Sequence, residues 1–307
     1  MYYIDPRQVT DSTLLFSSLA EDPSAAWTAG TYAVGDERHV VATHRVYKCA
    51  VAGSSTVSPE LDPTTWFDDR PTNKWAPFDI YTKLTKAVST TDDIVYEVLS
   101  RYATALVLDG LEGNAVLIEV LDHTGGSVVF RYPQAGTRIL IDPARGYWDY
   151  AFSQRRRTIS LLVTGLPMLS SGVIRITVSA PAGERRAIGL ISRGPLRQVH
   201  GTEFGGVAPG ANASPITYTY RPRRDDGTFG PTVLRPGAKQ RSWIVRMDRA
   251  HADDAVRIMD QLSNQPAYVM ATLEPGFDGL RGFGLVTRGE VSYDAISTCN
   301  VSIEDIV

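Results

Sequence analysis

The sequence predicts a mainly β protein: a small β module, a β-sandwich of galactose-binding or jelly-roll outline, and a C-terminal α+β domain with one helix. Three observations lead there. Between residues 84 and 199, alternating β-branched runs recur with Gly and Pro turns between them, as sandwiches require. Only 248–266 repeats its apolar residues at helical spacing. Residues 27–66 gather large rings around a Gly-Asp turn, as a unit with too little interior for an aliphatic core must. With 307 residues, 43% hydrophobic and 21% charged, the chain has room for two or three domains and is not a disordered polymer.

Residues 1–24 form an arm. Leu14, Leu15, Phe16 and Leu19 are too apolar to be left in water, so a strand or extended segment is expected, laid on a later domain or a neighbouring subunit. Pro23 ends it. Residues 25–70 form the module: Gly35-Asp36 reverses the chain, and 38–43 and 44–50 alternate as two strands. Its expected core is Trp27, Tyr32, Gly35, Asp36 and Tyr47, with Val40 and Trp66 beside them. Residues 71–83 connect, shaped by two prolines and Asn73. Trp75 and Phe78 there either fasten the module to the next domain or stand as exposed binding rings.

Residues 84–199 read as strands at 94–99, 104–108, 115–121, 127–132, 138–141, 158–163 and 173–179, with a hairpin turn at Gly125-Gly126. The most aromatic spot is Tyr147-Trp148-Asp149-Tyr150-Ala151-Phe152. As a strand it sends Tyr147, Asp149 and Ala151 one way and Trp148, Tyr150 and Phe152 the other. One face fills the core; the other is an interface, a sugar platform, or plain surface. Residues 187–199 close the sandwich. In the C-terminal domain, 200–307, strands fall at 216–220, 242–247, 267–273, 284–293 and 298–303, with a hairpin turn at Asp225-Asp226-Gly227. The helix opens at Asp248 or Arg249, carries the stripe Ala252, Ala255, Val256, Met259 and Leu262, and ends at 264–266.

A formal net charge of −3 gives no bulk field for nucleic acid or an acidic substrate. Arg155-Arg156-Arg157, Arg185-Arg186 and Arg221, Arg223 and Arg224 are scattered, and read as solvated faces or as interface arginines rather than a nucleic-acid groove. Cys49 and Cys299 read as buried thiols, and a bridge between them has no support in the sequence. MYYIDPRQ carries no secretory pattern, and no run reaches the roughly eighteen apolar residues of a bilayer span. His39 and His44 point to opposite faces of one strand, and His123, His200 and His251 are isolated, so no zinc site is expected. Asp92-Asp93 and Asp225-Asp226 sit in turns. No nucleophile elbow, P-loop or dinucleotide fingerprint occurs, and Gly205-Gly206 lacks the strand-then-helix setting of phosphate binding. No catalytic residue, metal or cofactor is expected.

The order Trp27, Tyr32, Gly35-Asp36, Val40, Tyr47-Lys48, Trp66 resembles the small chitin- and cellulose-binding modules of the type 5/12 carbohydrate-binding family. It departs from them where sugar-binding members expose extra rings: 50–55 reads AVAGSS. Trp66 and Phe67 are then the remaining stacking candidates in the module, unless Trp66 is core and Phe67 packs on the next domain. In the sandwich, Tyr147 and Tyr150 are the candidate glycan-binding rings. Together with VTDSTLLFSSLAED, ATHRVYKC, PTNKWAPFD and CNVSIEDIV, the chain is similar along most of its length to a family of structural proteins from tailed bacteriophages and prophages. That resemblance implies a virion component of the tail or baseplate. Its partners would be other tail proteins and further copies of itself, as a trimer or hexamer on the tail axis. Bacterial surface polysaccharide is a further partner if the protein serves host attachment.

Overall fold

The computed structural model describes residues 1–81, 84–141, 144, 146–154, 157–199 and 206–306. With 44% strand and 11% helix, the fold is mainly β with one main helix and several antiparallel sheets. Arg155, Arg156, His200 and Gly205 lie outside the described residues. The chain divides into two compact units.

One unit comprises Met1–Arg7, Ala103–Leu106 and Ser192–Val307. Its seven-stranded sheet runs in the order Leu196–Gln198, Tyr2–Ile4, Ala267–Met270, Arg281–Val291, Ile296–Asp305, Ala238–Asp248, Asn212–Ile216. Tyr2–Ile4 is an internal strand, paired on both sides. Along Ala238–Asp248 the period-two pattern buries Trp243, Val245 and Met247 and leaves Ile244 and Arg246 exposed. The helix Ala252–Asn264 covers the buried face with Ala255, Met259 and Leu262. The 3-10 turn Arg249–His251 that leads into it is capped by Asp248, whose side chain accepts from the Ala250 N–H, and in the helix itself Asp253 and Asp254 suit the positive end of the dipole. Gln265, just before Pro266, is already extended, which stops the helix. A Cβ at Gly289 would fall 2.8 Å from the Met259 Cβ, so glycine lets the helix approach the sheet.

The segment read as a strand at 216–220 is placed earlier, at Asn212–Ile216. Residues 217–237 instead form a loose hairpin with no buried residue, bridged at Tyr220 with Val233 and at Arg223 with Phe229. Its turn closes through Gly227 at φ 82, as the Asp-Asp-Gly signal requires.

The other unit comprises Gln8–Tyr102 and Val107–Ile191. Its largest sheet has the order Val128–Tyr132, Ala115–Leu121, Val173–Ser179, Ile94–Leu99, Leu14–Ser17, with Arg138–Ile139 paired to Ala115–Leu121. Alternation buries Ile94, Tyr96 and Val98, then Val116, Ile118 and Val120, then Ile174, Ile176 and Val178. The opposite face carries a cross-strand ladder. Arg175 reaches Glu97 at 2.7 Å and Glu119 at 3.6 Å, and Arg131 reaches Glu119 at 3.7 Å. An antiparallel sheet with one apolar and one charged face turns the second to water.

The module in this unit has a three-stranded sheet, Glu37–Val40, Arg45–Cys49 and Trp66–Pro71, and a two-stranded ribbon, Gly30–Tyr32 with Gly53–Ser55. Tyr32, Tyr47, Cys49 and Trp66 form its core, with Trp27 and Val40 packed against it. Gly35 and Asp36 were expected in that core and are surface turn residues instead. Gly35 takes φ 94, and Asp36 Oδ2 accepts from the Ala33 N–H at 3.0 Å.

Candidate functional site

Trp66 and Phe67 are neighbours on one strand, so they face opposite ways. Trp66 is 1% exposed. Its indole meets the Tyr32 ring edge-on at 4.9 Å, and its Nε1 donates to Ser55 Oγ at 3.3 Å. Both ring faces are spent inside the module, which removes Trp66 as a stacking platform. Phe67, opposite Lys48, is 46% exposed and has no ring contact among the described residues.

Trp75 is buried, and its ring stacks on His44 with centroids 4.0 Å apart. Phe78 meets Trp75 at 5.8 Å and Tyr96 at 5.5 Å, both edge-on. These rings run from the module's hairpin to the strand Ile94–Leu99, so the connector is an aromatic bridge and Trp75 is not an exposed binding ring. Asp22 fixes the polar side of the same junction. Its carboxylate accepts from Arg70 at 2.7 Å and from the backbone of Ser24 and Asn73 at 2.9 Å. Burial alone would raise the Asp22 carboxyl; the bonds from Arg70, Ser24 and Asn73 outweigh it and hold it below the usual carboxylate range.

The aromatic run at 147–152 departs from the strand expected for it. It is a six-residue helix, Tyr147–Phe152, with Gly146 accepting from Tyr150 and Asp149 from Ser153. None of its residues is buried. Tyr147, Trp148, Tyr150 and Phe152 are 75, 72, 64 and 77% exposed. The helical turn brings Trp148 and Phe152, four apart, face to face at 5.6 Å and 22°, and Tyr147 meets Trp148 edge-on at 5.6 Å. A strand would have sent one set of rings into a core; the helix puts all four outside. This patch is the strongest candidate contact surface, since clustered exposed rings usually mark one. Trp148 and Phe152 belong to it as much as Tyr147 and Tyr150; the four-residue spacing of the two rings is the signal that could have shown this.

Of the basic runs, Arg185-Arg186 is engaged. Arg185 reaches Glu112 at 3.1 Å, and the buried Arg186 reaches Asp93 at 3.2 Å and the Glu184 carbonyl at 2.9 Å. An open cleft of about 600 Å³ is lined by Arg70, Lys86, Glu112 and Arg185 among others. Its cations pair with Glu112, or with Asp22 and Glu37 in the case of Arg70, so it offers no field of one sign. Cys49 and Cys299 are buried free thiols, and burial pushes the Cys299 thiol up to about 11. Among the described residues, no cluster of three His, Cys, Asp or Glu side chains is placed to hold a metal, and no helix is long and apolar enough to cross a membrane.

No family model, curated protein or solved structure matches this chain.

Proposed function

We propose that the chain is a structural component of a bacteriophage tail or baseplate that works by protein–protein contact at the tail tip. In this reading its work is interaction and not catalysis, and it resides in the virion as a trimer or hexamer beside other tail proteins. The resemblance of the arm, module, connector and C-terminal stretches to tailed-phage structural proteins motivates it. The observation that carries it is the helix Tyr147–Phe152, whose four rings are each at least 64% exposed. Rings of this kind lose unfavourable hydration only when a partner covers them, and Tyr and Trp dominate such contacts. Mass spectrometry of particles made by the genome that encodes the chain tests the assignment: the chain is expected at stoichiometric copy number, and its absence from particles overturns the reading.

A second reading is attachment to a host-surface glycan. It is favoured by the exposure of Trp148 and Phe152, aromatic rings of the kind on which sugars stack. A glycan array with the intact chain and with Trp148→Ala separates the two. Binding lost in the variant supports the glycan reading, and no signal above background with the intact chain removes it.

A further inference from the structure

The hairpin at 217–237 has no buried residue, yet it is not polar throughout. Tyr220, Phe229, Val233 and Leu234 are 58, 64, 45 and 82% exposed. Its root is fixed: Asn212–Ile216 pairs with Ala238–Asp248, and the Tyr218 hydroxyl donates to Glu304 at 2.7 Å. Beyond the root, two bridges and a few turn bonds hold a ribbon that is marginal in water by itself. Pro222 and Pro231 on its two strands, and Pro215 on the edge strand below, remove backbone donors. The ribbon is therefore a poor template for strand addition, and a partner must meet its side chains.

Those side chains are rings and arginines, the combination enriched where proteins meet. Arg221, Arg223, Arg224 and Arg235 stand against Asp225 and Asp226, four cations to two anions. Among the described residues no acid forms an ion pair with any of the four. Arg221 Nε donates to Thr232 Oγ1 at 3.2 Å, and Asp226 is taken by the Thr228 amide and hydroxyl at 2.8 and 2.6 Å. The opposite charge lies on the same unit. The exposed face of the helix Ala252–Asn264 carries Asp253, Asp254 and Asp260 against the single Arg257. Asp254 holds Arg257 at 2.8 Å, and Asp253 accepts from the Tyr293 hydroxyl at 2.8 Å. The Asp260 carboxylate has no cation partner among the described residues. No hydrogen bond or ion pair joins 217–237 to this helix within one chain, again among the described residues.

We propose that the hairpin of one copy docks on the acidic outer face of the helix Ala252–Asn264 of a second copy. The rings and Leu234 leave water there, and the arginines find carboxylates. Each copy offers one hairpin and one helix, so the contact runs head to tail. Such a contact repeats from copy to copy until rotation closes it into a ring. The inference rests on the oligomer of the proposed function and names the two surfaces that build it.

Sedimentation velocity of the intact chain over a concentration series tests it. The wild type is compared with a hairpin variant, Arg223→Glu with Arg224→Glu, and a helix variant, Asp254→Arg with Asp260→Arg. All four positions are exposed, so both variants should keep the wild-type circular dichroism spectrum. The wild type should associate. Each variant alone should associate about a hundredfold more weakly, because like charges then face each other. An equimolar mixture of the two variants should regain association. The acidic hairpin of one then meets the basic helix of the other, and the remaining two surfaces are unchanged. Variants that associate as tightly as the wild type overturn the interface and leave the oligomer standing. So does a mixture that associates no more tightly than either variant alone. A wild type that stays monomeric at every concentration overturns the oligomer and the interface together.

Discussion

Trp66 and Trp148 are the same residue type in two aromatic-rich stretches of one chain, and the fold uses them in opposite ways. Trp66 lies on a strand whose alternation turns it inward onto Tyr32, where its indole N–H finds Ser55. Trp148 lies on a helix too short to bury a face, and it stacks on Phe152 in the open. The module needs its rings as core because a unit of that size has little else to bury. The helix Tyr147–Phe152 contributes nothing to a core. Aromatic density alone therefore does not mark a binding surface; the local period and what lies opposite each ring decide it.

The difference can be broken from the inside first. Trp66→Ala should cost about 3–5 kcal/mol, since it removes the largest buried side chain of the module and leaves a cavity beneath Tyr32. Chemical denaturation read by near-ultraviolet circular dichroism checks this, and a loss under about 1 kcal/mol would mean the ring is not core. The polar frame around those rings comes next. The Asp22 side chain is fully buried against an Arg70 that is 32% exposed. Asp22→Asn should therefore cost roughly 2–3 kcal/mol at neutral pH, less than breaking a fully buried pair.

The pH dependence of that frame has a definite sign. The folded-state carboxyl of Asp22 is held low, so its contribution is complete above the ordinary carboxylate range and is lost as pH falls through the folded value. Unfolding free energy measured from pH 7 down to about pH 2 should fall more steeply in the wild type than in Asp22→Asn over the acid end. Equal slopes would show that Asp22 does not carry the acid sensitivity. Phe67→Ala, on the outward side of the same strand and half exposed, should cost about 1 kcal/mol in the same denaturation experiment. Smallest of all, Trp148→Ala should change stability by no more than about 0.5 kcal/mol, because no residue of its helix is buried. A loss of several kcal/mol there would place Trp148 in a core and end the contrast.

Much of the fold could be read from local pattern. The alternation of 94–99 and 173–179 reports their buried faces directly, and the stripe from Ala252 to Leu262 reports the main helix. Gly35-Asp36 carries its own turn signal, and Gly35 takes the positive φ of such a turn. What local pattern could not supply was of two kinds. The run 147–152 is too short to distinguish period two from the four-residue spacing of Trp148 and Phe152, so a strand reading divides its rings between faces they do not occupy. Long-range pairings carry no local mark: Tyr2–Ile4 lies between Leu196–Gln198 and Ala267–Met270, and His44 meets acids 23 and 33 residues away. Trp66 is an intermediate case, since the sequence allowed it as core or platform and only the position of Tyr32 settles which.

The claim that the outer rings are a working surface is tested most directly by a cryo-EM map of the assembled particle at side-chain detail around residues 146–153. The account predicts that Trp148 and Phe152 are covered there by another protein or by a second copy of the chain, while Trp66 stays inside its module. A particle in which the chain is present and all four rings of the helix remain open to solvent would contradict it.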